Sequence, residues 1–427
     1  MSEDVQGMEP KFDRHGQWVE PFSRSARRFA ARVGSTVGVL ALVSIALTPS
    51  AVADDVRSQQ WHLDAMGADD LWKVSTGKGI KVAVIDTGVS ETPSLEGRVQ
   101  PGKDLTDLPG GSLDDYDRHG TTMAELIVGS GRGGGIKGLA PGAEVVSFRT
   151  NLGDKFGKEG SRDAEAIRAA ADSDAQIISM SFGSDYMYPE QKEAVKYAAS
   201  KGKLMFASVG NDREKKNFIG YPAAYPSVTG VSAADKSGKV AKFSERGDYV
   251  DLAAPGVGLP AWCDETFRSY CDDGDGTSAA TAIASASAAL IWSKHPNWTA
   301  NQVLRVLIDT AGRDWPKNDP SMYLGYGLIR PAPNLLNGKG SPGPADVDPL
   351  TNEKTPSAGT GKEASASASA PASSPPPKGA TGGGAVAASN TKPTQNDGQL
   401  WLIVGSITAA AVIGGSAFAV MRARRRV

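Results

Sequence analysis

The chain is short of several things, and each shortage narrows what it can be. Its 46 Lys and Arg are offset by 48 Asp and Glu, so no charge excess points to a nucleic acid as partner. Two cysteines, Cys263 and Cys271, allow one bridge at most. There are four histidines in 427 residues, His15, His62, His119 and His295, so any chemistry needing an imidazole base has few places to find one. From Gly338 to Gly398 large apolar residues are almost missing, while Gly, Ser, Ala, Pro and Thr dominate, as in Ser374-Pro375-Pro376-Pro377 and Gly382-Gly383-Gly384. Such a stretch cannot bury enough surface to fold, and it reads as a disordered tether.

What is present centres on Asp275-Gly276-Thr277-Ser278-Ala279-Ala280. Here a serine stands between a glycine turn and an alanine-rich run that reads as a buried helix to Lys294. The positive end of that helix would favour negative charge developing beside the hydroxyl. Taken alone, the same residues suit an ordinary loop and helix cap. A serine becomes a nucleophile when a histidine, held by a carboxylate, takes its proton. Of the four histidines only His119, in Asp117-Arg118-His119-Gly120-Thr121, is presented by a glycine turn ahead of a helical pattern. The carboxylate candidate is Asp86, which ends the strand-like run Ile80 to Ile85. The ends of strands are where catalytic groups gather in open α/β sheets.

The order Asp86, His119, Ser278 is that of subtilisin. Val84-Ile85-Asp86-Thr87-Gly88-Val89, His119-Gly120-Thr121 and Gly276-Thr277-Ser278 resemble the three signatures of the subtilisin-like serine proteases. The resemblance implies a serine endopeptidase that forms an acyl-enzyme, with an extended peptide or protein as substrate. It implies a subtilisin-like three-layer α/β fold, a mostly parallel sheet covered by helices on both faces. It makes Asn211, in Ala207-Ser208-Val209-Gly210-Asn211, the oxyanion-hole donor together with the Ser278 N–H. It also places substrate pairing at Ser181, Phe182 and Gly183, with a second segment near Phe156-Gly157-Lys158. Phe182 reads equally as an apolar wall of that cleft and as plain core. Two departures stand out: Ala282 follows where a proline is common, and Glu125 replaces a glycine. A helix tolerates proline in its first turn without requiring it. Glu125 reads as a local packing or surface change. No metal is expected from the motifs, and no other cofactor. Asp114-Asp115-Tyr116-Asp117 and Asp272-Asp273-Gly274-Asp275 could supply calcium oxygens, but neither has a dedicated loop spacing, and solvated loops are the plainer reading.

The expected organisation follows in chain order. Residues 1–53 read as a signal peptide, with Arg24, Arg27, Arg28 and Arg32 before the apolar run Val33 to Leu47 and a small-x-small ending at Ala51-Val52-Ala53. An uncleaved anchor is the other reading. Residues 54–79 form a short arm, and about 25 residues cannot bury a core of their own. The peptidase domain is expected over 80–337, with strands at Lys81–Ile85, Glu144–Phe148, Gln176–Ser181, Lys203–Val209, Val228–Ala233 and Tyr249–Ala253. Its helices are expected at Arg162–Ala171, Glu190–Ser200, Ala279–Lys294 and Ala300–Thr310. In an exported chain Cys263 and Cys271 read as a disulfide. After the tether, 338–398, comes one transmembrane helix over 399–421 and a basic tail, 422–427, which the positive-inside rule keeps cytoplasmic. This predicts a single-pass protein of the cell membrane with its catalytic domain outside. The whole plan resembles the mycosins, the membrane proteases of actinobacterial type VII secretion, and implies that machinery as a partner. A structural role in a secretion complex, with proteolysis secondary, is the competing reading.

Overall fold

The computed structural model describes residues 53–150, 162–272 and 274–355. Three short helices come first, α1 (Ala53–Gln59), α2 (Trp61–Ala65) and α3 (Ala68–Trp72). A seven-stranded sheet follows: β1 (Lys81–Asp86), β2 (Val99–Asp104), β3 (Glu144–Arg149), β4 (Ile177–Met180), β5 (Leu204–Ser208), β6 (Val228–Ala234) and β7 (Leu252–Pro255). Its order is β2-β3-β1-β4-β5-β6-β7 and every pairing is parallel. Chain order therefore reverses direction at β1, whose C-terminal residue is Asp86. That is the topological switch point, where open parallel sheets open a crevice for ligands.

The strands alternate in the faces they cover. Val82 and Val84 join a core with α4 (His119–Val128), α7 (Thr277–Lys294) and α8 (Ala300–Thr310). Ala83 and Ile85 join a second core with α5 (Asp163–Asp172) and α6 (Pro189–Ser200). Both faces of the sheet are buried, so the strands read as unbroken apolar runs rather than as alternation. The central helix α7 is buried from Ala279 to Trp292. A helix apolar all round can sit only in such a place, and its many Ala and Ser let it pack closely. A short helix α9 (Ala332–Asn337) and a two-stranded hairpin, β8 (Ala261–Trp262) with β9 (Tyr270–Cys271), complete the elements.

Strand β2 was not expected. Its Val-Gln-Pro-Gly-Lys-Asp sequence lies exposed at the sheet edge, and an edge is where a strand tolerates proline. The arm expected over 54–79 is no appendage: Val56, Leu63, Met66 and Leu71 are buried in the same core as α7. It is also bonded to the body. Gln60 and Lys137 exchange two hydrogen bonds, at 2.7 and 3.0 Å, Trp61 donates to the Val257 carbonyl at 2.9 Å, and Trp72 to that of Leu139 at 2.9 Å. Residues 338–355, expected as the start of a tether, are also joined to the body. Asp348 is buried and accepts the Ser227 hydroxyl at 2.7 Å, and Arg305 donates to the Val347 carbonyl at 2.9 Å. Polar composition there concealed a segment anchored largely by hydrogen bonds, with Leu350 packed on the core. The expected signal peptide, apart from Ala53, and the rest of the expected tether, transmembrane helix and basic tail fall outside the described residues. Among the described residues no helix is long and apolar enough to cross a membrane.

Because Leu63 is fully buried, Leu63→Ala should cost about 2–5 kcal/mol of stability, read as a lower urea midpoint. An unchanged midpoint would show that the arm is dispensable to the fold.

Candidate active site

Asp86 is fully buried at the end of β1. Its Oδ1 accepts from the Thr87 N–H at 2.8 Å and lies 2.7 Å from His119 Nδ1. His119 is the first residue of α4, and its side chain keeps 31% exposure on the cleft side. The approach of α4 to β1 depends on Gly120. A Cβ there would stand 2.1 Å from the Gly88 carbonyl oxygen and 3.0 Å from the Asp86 Cβ. Any side chain would wedge the two elements apart and separate the pair. Arg118, just before it, is held at φ +73°, a region costly to most non-glycine residues. It donates its backbone N–H to Asp115 at 2.9 Å and its guanidinium to the Trp262 carbonyl at 2.7 Å.

Asp115 organises this turn. Its two oxygens accept from the Thr87 hydroxyl (2.7 Å), the Asp117 and Arg118 N–H groups (2.9 Å each), and the Thr121 N–H and hydroxyl (2.8 and 2.6 Å). A carboxylate surrounded by donors does not fit a cation, and among the described residues no cluster of acids, His or Cys converges on one point. At Asp115, which is 8% exposed, the first acidic cluster is not simply solvated. In the second, Asp275 accepts from the Gly258 N–H. Beneath the turn the buried Arg149 guanidinium binds Asp104 and the carbonyls of Leu108, Pro109 and Asp114. Neither Arg149 nor Asp115 was singled out from the sequence as part of the site.

Ser278 is the second residue of α7, where backbone N–H groups have no partner within the helix. The Asn211 side-chain oxygen accepts from the Thr277 N–H and hydroxyl, both at 2.9 Å. This fixes the amide's orientation and leaves its NH₂ pointing elsewhere. A Cβ on Gly276 would lie 3.6 Å from Asn211 Nδ2 and 3.7 Å from the Ser278 nitrogen, so the two donors flank the space that the missing side chain leaves. Ser278 Oγ donates to the Ser181 carbonyl at 3.0 Å, and Ser181 Oγ donates back to the Ser278 carbonyl at 3.2 Å. The hydroxyl proton is thus engaged by β4's end rather than by His119, and attack requires that bond to be exchanged, as is common without substrate.

Ser181, Phe182 and Gly183 extend β4 into the cleft beside Ser278, and Phe182 packs against the core on the α5 and α6 side. The companion segment near Phe156-Gly157-Lys158 lies outside the described residues. Cys263 and Cys271 are bonded to each other across the β8–β9 hairpin. Glu125 is not a surface change. Fully buried, it accepts from Thr92 Oγ1 at 2.6 Å and from the Tyr270 hydroxyl at 2.8 Å, tying α4 to that hairpin.

Burial pulls the His119 pKa down, but the Asp86 charge and hydrogen bond, with Asp115 and Asp117 behind, outweigh it and raise the value to about 9. The Asp86–His119 pair therefore adds stability that is complete below the ordinary value of 6.5 and is lost as pH rises through about 9. His62 is the opposite case. Burial holds it down to about 3, so it stays neutral in the core. His295 stacks on Trp298 with ring centroids 3.7 Å apart. Neither is placed to serve as a base.

A carboxylate–imidazole pair, a serine at a helix N-terminus and an asparagine tied to the same turn, on a parallel sheet, suit a serine peptidase. Residues 77–327 match the subtilase family, peptidase S8, and the chain belongs to that family of serine endopeptidases. It is similar to the minor extracellular protease Epr of Bacillus subtilis, 33% identical over 283 residues, covering 64% of this chain and 41% of that protein. The chain thus spans well under half of that relative's length. Among solved structures it is similar to the MycP3 protease of the type VII (ESX-3) secretion system, with 30% identity and a TM-score of 0.55, covering 64% of this chain and 87% of that one. MycP1 from Mycobacterium smegmatis aligns at 26% identity and a TM-score of 0.56, covering 67% and 86%.

Gly120→Ala should leave the protein folded by circular dichroism while lowering kcat on a peptide substrate by about 10²-fold, the effect of roughly 1 Å of misplacement. Wild-type turnover would show that the α4 approach does not set the geometry.

Proposed function

We propose that the chain is a membrane-anchored, extracellular serine endopeptidase that processes exported proteins in a type VII secretion setting. The observation that carries the catalytic part is the 2.7 Å contact of Asp86 with His119 at the sheet's switch point, with Ser278 at the start of the central helix α7. In this reading Ser278 Oγ attacks the scissile carbonyl carbon and its proton passes to Nε2 of His119 in its neutral form, so turnover rises with pH toward the raised His119 value. Asp86 holds the imidazole's orientation and stabilises the imidazolium. The carbonyl oxygen becomes an oxyanion met by the Asn211 amide and the Ser278 N–H, a donor pair whose loss costs about 10²–10³ in turnover. Collapse expels the amine, which takes the proton from His119, and leaves an acyl-enzyme. Water then attacks that ester, again losing its proton to His119, and the acid is released with Ser278 restored.

The secretion setting rests on the MycP-like neighbours and on the order of segments in the sequence. Substrate would pair as an added strand beside Ser181, Phe182 and Gly183. The apolar run over 399–421 would hold the enzyme at the membrane with the tail 422–427 inside.

In the native host, Ser278→Ala should leave the protein's level unchanged while exported proteins accumulate with uncut ends, read by mass spectrometry of their termini. If the termini are unaltered and secretion fails only on deletion of residues 399–421, the chain acts as a structural component of the secretion complex instead.

A further inference from the structure

Behind the oxyanion donor lies a buried acid that the mechanism does not use. Glu245 is 3% exposed. Its segment runs beside the Asn211 loop: the Glu245 N–H donates to the Gly210 carbonyl at 3.1 Å, and the Arg213 N–H to that of Phe243 at 3.1 Å. The carboxyl is pressed against the backbone of Gly210, where a Cβ would stand 2.5 Å from Glu245 Oε2. Gly210, at φ +115°, is thus required twice over, for its conformation and for this contact. One Glu245 oxygen accepts the Phe218 N–H at 3.4 Å.

The other oxygen lies 3.4 Å from the Tyr249 hydroxyl. That hydroxyl has one proton and stands 2.7 Å from the Phe218 carbonyl, its better acceptor. The carboxyl also has the Asp212 N–H as a donor, and the Tyr249 hydroxyl can share its proton with it; a protonated Glu245 can donate to that hydroxyl in turn. Asp212 lies on the same loop and Asp248 beside Tyr249, both acidic. The guanidinium groups of Arg213 and Arg246 each lie 5.2 Å from the Tyr323 ring centre. Lys215 pairs with Asp212 at 3.0 Å, and Lys216 stands 4.6 Å from the Phe218 ring. Among the described residues none of these cations forms an ion pair with Glu245.

We propose that Glu245 is a positioning residue for the oxyanion hole: its carboxyl packs behind the Gly210–Asn211 turn and sets its place, and its ionisation weakens oxyanion binding. Ionisation would set a negative charge against Gly210, next in the chain to the Asn211 that must stabilise another. Burial and the Asp212 charge outweigh the hydrogen bonds from Phe218, Tyr249 and the Asp212 N–H and raise the Glu245 pKa to about 7, so the change falls within the range tested below. The inference rests on Ser278 and Asn211 acting as proposed above.

The test is the rate at which a fluorophosphonate labels Ser278 in the full-length protein, for wild type, Glu245→Gln and Glu245→Ala, between pH 6 and 8.5. Labelling forms a P–O bond to Ser278 with loss of fluoride, and the phosphoryl oxygen occupies the oxyanion hole, so no substrate need be known. Glutamine has the same shape and cannot ionise. The ratio of Glu245→Gln to wild-type rate should rise from near one at pH 6 to roughly tenfold at pH 8.5, part of the 10²–10³ that loss of a whole donor costs. Glu245→Ala should be slower than wild type at pH 6, with the same far-ultraviolet circular dichroism. A Gln-to-wild-type ratio that does not change with pH, or an alanine variant as fast as wild type at pH 6, overturns the proposal. If wild type does not label at Ser278 at all, the nucleophile assignment fails, and this inference falls with it.

Discussion

The site depends on one close approach, that of the first turn of α4 to the end of β1. The buried carboxylate of Asp86 and the imidazole of His119 can meet at 2.7 Å because nothing stands between the two backbones at Gly120 and Gly88. An uncompensated charge in such a place would be costly. Thr87 and His119 offset it for Asp86, and the Asp115 and Arg149 networks hold the turn that delivers His119. The strained conformation of Arg118 belongs to the same account, since two hydrogen bonds hold it in place.

The other half of the site is built on α7, and it needs the whole core. An alanine-rich helix can be buried on every side if strands, α4, α8 and the N-terminal arm all close around it. The arm therefore contributes to the position of Ser278 through packing, and through Trp61 bonded to the loop that follows β7. Ser181 and Ser278 exchange hydrogen bonds, so the strand proposed to receive substrate and the nucleophile are set relative to each other before any peptide arrives.

Much of this was legible in the sequence because the chemistry demands particular residues at turns. Asp86 and Asn211 close apolar runs and His119 and Ser278 open helices, each near a glycine, and the fold pairs Asp86 with His119 and Asn211 with the Ser278 turn. The internal strands and long helices fell within a few residues of expectation, since a sheet buried on both faces leaves continuous apolar runs. The edge strand β2 was hidden by its proline and exposure. Residues 338–355 were hidden because their anchorage is largely polar. The roles of Asp115, Arg149, Glu125 and Glu245 could not be read from spacing, because each acts on a partner between 6 and 145 residues away that the fold alone brings near. A lone acid in a sequence looks solvated until its donors are known.

The central claim is that Asp86 holds His119 as a charged-pair partner in a buried cleft. With four histidines in the chain, NMR of the protein labelled with ¹⁵N in its imidazoles gives few signals, and His119→Gln assigns the relevant one. The account requires that signal to titrate near pH 9, well above the ordinary histidine value, and to shift downward in Asp86→Asn. A His119 that titrates at or below about 6.5, or is indifferent to Asp86→Asn, would contradict it.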